Sequence, residues 1–144
     1  MDAVAQVTSV PEHFPDSPSG TRAVQLISTR TPAYALDVLG RCSRERSCDG
    51  PSRTGGGLAQ ALHLINGSTI NAKLRGGIIE QLLARQLPDR ELIDELYVRA
   101  FTRSPASEEW AEWESLLTRT PDKTEAVQDL LWALLNSREF AFNH

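Results

Sequence analysis

From Leu58 onward the apolar positions recur at helical spacing. Leu58, Ala61, Leu62 and Ile65 fall at i, i+3, i+4 and i+7, which predicts a helix stopping at Asn66-Gly67, where glycine can take the left-handed cap conformation. Ile70, Leu74, Ile78 and Leu82 carry a second stripe, interrupted at Gly76-Gly77; the interruption predicts a kink or two short helices. Asp89 is the expected cap of a third helix bearing Leu92, Ile93, Leu96, Tyr97, Ala100 and Phe101. Ser107 is the expected cap of a fourth, with Trp110, Trp113 and Leu117 along one face. Thr120-Pro121 predicts a cap followed by proline in the first turn of a fifth. That last helix contains Leu130-Leu131-Trp132-Ala133-Leu134-Leu135, apolar nearly all the way round, and is expected to be central and buried. Short joints at Pro88, Ser104-Pro105 and Thr120-Pro121 make successive helices antiparallel neighbours. The expected class is mainly α, a small array of about five helices.

Residues 1–57 follow another rule. They hold six of the nine Gly and five of the eight Pro, so the chain divides into an irregular segment 1–57 and a helical subdomain 58–144. A short helix is expected at Asp2–Val7, a turn-rich loop over Pro11–Gly20, and a short strand at Ala23–Ile27; Tyr34–Leu39 is apolar but too brief to assign. Irregular stretches of this length normally lie over other structure or belong to a site. The segment is therefore expected to pack on parts of a larger protein, with this chain a fragment of it.

The chain has 144 residues, with 15 Lys+Arg against 19 Asp+Glu, a formal charge of −4. Mild acidity without a basic tail argues against a nucleic-acid binder that works by phosphate neutralisation. No apolar run approaches the roughly 18 residues of a membrane span, and Met1-Asp2-Ala3-Val4 lacks the basic start of a signal peptide. The expectation is a soluble chain.

Reactive residue types are few. Cys42 and Cys48 have neither the spacing of a zinc or redox pair nor that of covalent haem attachment; a disulfide, two free thiols, or a metal or redox role all stay open. Arg41, Arg44, Arg46 and Arg53 surround them, with Glu45 and Asp49 interspersed. They form either a solvated loop or a partner-contact loop. His13, His63 and His144 have no metal-ligand spacing among them, and His63 lies away from the Leu62/Ile65 stripe. Thr54-Gly55-Gly56-Gly57 precedes a helix but lacks the lysine and hydroxyl of a phosphate-binding loop, and reads as a joint. The groups Glu91/Asp94/Glu95 and Glu108/Glu109/Glu112 fall on polar faces or first turns, where negative charge suits the helix dipole. Trp110, Trp113 and Trp132 read as core or interface aromatics, and Asn66-Gly67-Ser68 as a helix stop and restart rather than a glycosylation site. No catalytic, cofactor-binding or metal-binding residue is assigned.

Several stretches carry a resemblance. They are Asp2–Gln6 with Val10-Pro11 and Gly20–Leu26, then Leu58–Gly67, Ile93–Tyr97 with Arg103-Ser104-Pro105, and Asp129–Phe140 closing on Asn143-His144. Together they resemble the C-terminal part of the planctomycete-specific PSD domain family, a domain of unknown function. The stretch Arg41–Arg53 departs from that pattern: its cysteines are spaced differently and a Gly run intervenes. The resemblance implies the tail of a larger exported or cell-envelope protein, in which haem c belongs to an absent cytochrome-c-like neighbour and the partners are the missing upstream domains. It implies no catalytic residue. Three functions follow as expectations: a non-catalytic structural or interaction module, part of a hydrolase or oxidoreductase site completed by missing domains, or a carbohydrate or cell-surface module using Trp110 and Trp113.

Overall fold

The apolar stripes close into packed helices in a computed structural model that describes residues 1–28, 31–41 and 67–143. Among the described residues the architecture is mainly α, with no strand. In chain order the helices are α1 (Asp2–Thr8), α2 (Tyr34–Val38), α3 (Ser68–Leu74), α4 (Ile78–Ala84), α5 (Asp89–Phe101), α6 (Ser107–Arg119), α7 (Lys123–Leu135) and α8 (Arg138–Asn143). The helix expected at Leu58–Ile65 and the division at residue 57 lie outside the described residues.

Core membership follows the stripes. Ile70, Leu74, Ile78 and Leu82 are all buried although they belong to two helices, as are the six apolar residues expected on α5. The break between α3 and α4 falls at Gly76-Gly77, where Gly77 has φ +61°. That conformation favours glycine. Space requires it too, because a Cβ on Gly77 would run into the Thr8 carbonyl oxygen and the Val10 side chain.

α7 is the central helix, packing against α3, α4, α5, α6 and α8. Its buried stripe is Ala126, Val127, Leu130, Leu131, Leu134 and Leu135, while Trp132 and Ala133 are half-buried. The helix stops after Leu135 rather than running on. Ser137 Oγ donates to the Leu134 carbonyl at 2.8 Å and accepts from the Phe140 amide at 3.1 Å, so one hydroxyl both ends α7 and starts α8.

Four local expectations shift. Pro88, not Asp89, stands at the N-cap of α5; Asp89 sits in the first turn and pairs with Lys123 Nζ at 2.6 Å. Ala106 precedes α6 in place of Ser107, its amide donating to Glu109 Oε2 at 2.7 Å. Asp122 rather than Thr120 caps α7, accepting from the Thr124 amide at 2.8 Å. Gly67 is extended, φ −61° and ψ 135°, as the N-cap residue of α3 rather than a left-handed stop.

The N-terminal segment enters the same core. α1 packs on α3, α4 and α5, and buries Val4, Val7 and Thr8. The Thr8 hydroxyl is satisfied by the Val4 carbonyl at 2.8 Å. Lys73 is also buried: its Nζ donates to the Val10 carbonyl at 2.5 Å and lies 3.4 Å from Glu12 Oε1, tying the Val10–Glu12 stretch to α3. A buried ammonium is tolerable only with such partners.

The strand expected at Ala23–Ile27 is instead a 3-10 turn over Ala23–Gln25. Its free amides are taken by Asp2, whose carboxylate accepts from Ala23 N at 2.7 Å and Val24 N at 3.1 Å. With those donors capped, no ladder is available to them, and Val24 and Ile27 point to solvent.

Candidate functional site

Of the residues the sequence singles out around the cysteines, Cys42, Cys48, Arg44, Arg46 and Arg53 lie outside the described residues, as do His63 and His144. Arg41 is described. Its Nη2 donates to Asp37 Oδ1 at 2.6 Å and its Nη1 to the Thr31 carbonyl at 2.7 Å, so the side chain closes its own loop behind α2. His13 is exposed. Among the described residues no group of three or more His, Cys, Asp or Glu is arranged to hold a metal ion.

The densest polar chemistry lies where the end of α5, the start of α6 and α8 meet. α5 ends at Thr102 in the left-handed conformation, φ 59°, which turns the following Arg103 back over the helix ends. Arg103 donates to Glu139 through Nε–Oε1 and Nη2–Oε2, both 2.7 Å, and to Glu109 through Nη1–Oε2 at 2.8 Å and Nη2–Oε1 at 3.0 Å. Its guanidinium carbon lies 5.5 Å from the Tyr97 ring centre and 5.4 Å from that of Phe101. The two rings meet edge to face at 5.5 Å. Trp113 Nε1 donates to the Tyr97 hydroxyl at 2.7 Å. The Trp113–Tyr97 pair therefore meets Arg103 through the Tyr97 ring, and Arg103 in turn holds Glu109 and Glu139.

The electrostatics follow from the contacts. Hydrogen bonds from Arg103 hold Glu109 at about 2, and the Ala106 amide adds to this. The same guanidinium holds Glu139 below the usual carboxylate range. Arg103 is held protonated further above its ordinary value by Glu139 and Glu109. Burial pushes the Tyr97 phenol up, against the hydrogen bond from Trp113. General acid–base work needs a group that exchanges its proton near the working pH. Here each member is pinned in one protonation state around neutrality, so the arrangement acts as a fixed ionic clasp. Sequence reading placed Glu109 as a first-turn acid on α6 and missed the clasp, because Glu139 lies 36 residues from Arg103.

Beside the clasp, Arg90, Glu91, Asp94, Ser104 and Trp110 line a surface groove of about 390 Å³ between α5 and α6. The Arg90 guanidinium carbon sits 4.9 Å from the Trp110 ring centre. Trp110 and Trp113 are both half-buried against the core. Of the acidic residues on the two helices, Asp89, Glu95 and Glu109 are paired with Lys123, Arg99 and Arg103, whereas Glu91 and Asp94 line the groove.

Comparison with protein-family models, with curated proteins and with solved structures found no match in any of the three.

Proposed function

We propose that this chain is a non-catalytic helical module that packs against other parts of a larger polypeptide, the truncated tail of a cytochrome-associated protein of the kind the planctomycete-specific PSD resemblance implies. The supporting observation is the apolar surface of the N-terminal segment. Val24 is 77% exposed, Ile27 95% and Tyr34 72%. Single exposed apolar residues are ordinary, but several gathered on one segment mark a contact surface. Asp2 holds the Ala23 amide beside Val24, and Ala35 next to Tyr34 is buried, so these two exposed side chains stand beside fixed neighbours. Haem c in this reading belongs to a preceding domain, and no residue of this chain is assigned to it.

The test is titration of the chain with the recombinant upstream half of a planctomycete-specific PSD domain, followed by calorimetry. Saturable binding is expected, with loss of at least about tenfold in affinity in a V24D/I27D variant that keeps its helical circular dichroism. Absence of binding, or equal affinity in the variant, overturns the reading.

A further inference from the structure

We propose that Lys73 is a polar latch that fixes residues 10–24 as a closed arch against α1 and α3, and that this arch opens locally, with the helices intact, once the latch is removed. The Lys73 side chain is 4% exposed. Its ammonium donates to the Val10 carbonyl at 2.5 Å and lies 3.4 Å from Glu12 Oε1. That carboxylate oxygen is buried without a hydrogen bond, so the charge of Lys73 is what compensates it. A buried charge left without its partner is costly. An apolar contact would tolerate sliding of the chain, whereas one ammonium set between a carbonyl and a carboxylate two residues apart admits a single register.

Apolar packing does little to shut the arch. Of residues 10–24 only Phe14 is buried. The Ser17 and Thr21 amides donate to carbonyls three residues earlier, those of Phe14 at 3.2 Å and Pro18 at 3.1 Å, so these bonds shape turns within the arch and do not join it to the helices. At the far end Asp2 of α1 receives the Ala23 and Val24 amides. Between the arch and α1 lies a cavity of about 480 Å³, whose lining includes Asp2, Gln6, Ser9, Glu12, Thr21 and Arg22 in place of packed apolar side chains. A segment with few buried apolar contacts opens for a fraction of the global unfolding free energy. The helical array keeps a core of its own, in which Leu82, Leu96 and Leu130 are fully buried. Without the Lys73 charge, the buried oxygen of Glu12 must reach water, and lifting the arch is the way to it. The latch works in the same way whether or not Val24 meets a partner.

Amide hydrogen exchange followed by NMR on the whole chain tests the latch. Lys73→Met keeps a stem of similar length and removes the charge. The Ala23 and Val24 amides, at the end of the arch remote from Lys73, should then exchange at least about tenfold faster, while those of Leu130 and Leu131 stay within about twofold of the native chain. Glu12→Gln removes the opposite charge and leaves Lys73 its Val10 carbonyl, so a smaller acceleration of about threefold is expected at the same two amides. Unchanged exchange at Ala23 and Val24 in either variant overturns the proposal. So does an equal acceleration at Leu130 and Leu131, or loss of helical circular dichroism in Lys73→Met, because Lys73 would then support the whole fold and not the arch.

Discussion

Arg103 and Glu139, 36 residues apart, meet through two parallel hydrogen bonds of 2.7 Å. With Glu109 on the opposite side, one guanidinium joins the end of α5 to the start of α6 and to α8. Planar two-point contact of this kind is specific to arginine. All three side chains are about a third exposed, so solvent screens part of the attraction.

Arg103→Lys keeps the charge and loses the fork. The expected cost is about 1 kcal/mol in urea unfolding, and a loss below the error of the measurement would show that the clasp is idle.

The clasp also sets an acid limb. Glu109 at about 2, and Glu139 below its usual range, both have folded values under those of the unfolded chain. Their contribution is therefore full above the ordinary carboxylate value of about 4.3 and is lost as pH falls from there toward about 2. The unfolding midpoint should drop more between pH 6 and pH 3 in the native chain than in Arg103→Met, where the carboxylates lose their partner. Equal drops would contradict the assignment.

Tyr97→Phe removes the acceptor of the Trp113 indole N–H, which lies at 2.7 Å. About 1 kcal/mol should be lost at neutral pH. In the native chain the raised phenol value means a contribution complete below about pH 10 and lost as pH rises through the folded value. Ultraviolet titration of the folded chain against its Tyr97→Phe variant reads that ionisation directly.

Gly77→Ala should be severe, at about 2–4 kcal/mol, because it combines a positive φ with a collision against the α1 backbone. Gly76→Ala is the control: the nearest atom to its Cβ is Glu80 Oε1 at 3.8 Å. Similar thermal midpoints for the two variants would contradict the close approach of α1 to the α3–α4 turn.

Leu131→Ala removes a fully buried side chain at the centre of α7. A cost of about 2–5 kcal/mol is expected, and a loss under about 1 kcal/mol would contradict the central placement of that helix.

Helices with a wide apolar stripe are legible in the sequence. The stripes of α3, α4, α5 and α7 name residues that are buried, and the glycine pair marks the break between α3 and α4. Helix starts were less legible. Ser, Thr and Asp crowd each joint, and which one caps depends on where the chain enters the helix. Asp122, rather than Thr120, took that place before α7. Lys73 was not legible as buried, since an amine in a local pattern reads as surface and its partners lie more than sixty residues earlier.

Local periodicity thus determined the mainly α class and the interior residues of its principal helices, because burial of an apolar face repeats every three to four positions whatever the neighbouring helix is. Tertiary structure alone decided that Asp2 would cap Ala23 and Val24, that Arg103 would join Glu109 to Glu139, and that Arg90 would cover Trp110. A hydrogen bond or a ring contact needs two groups within a few ångströms, and groups distant in sequence reach that separation only after the helices have packed.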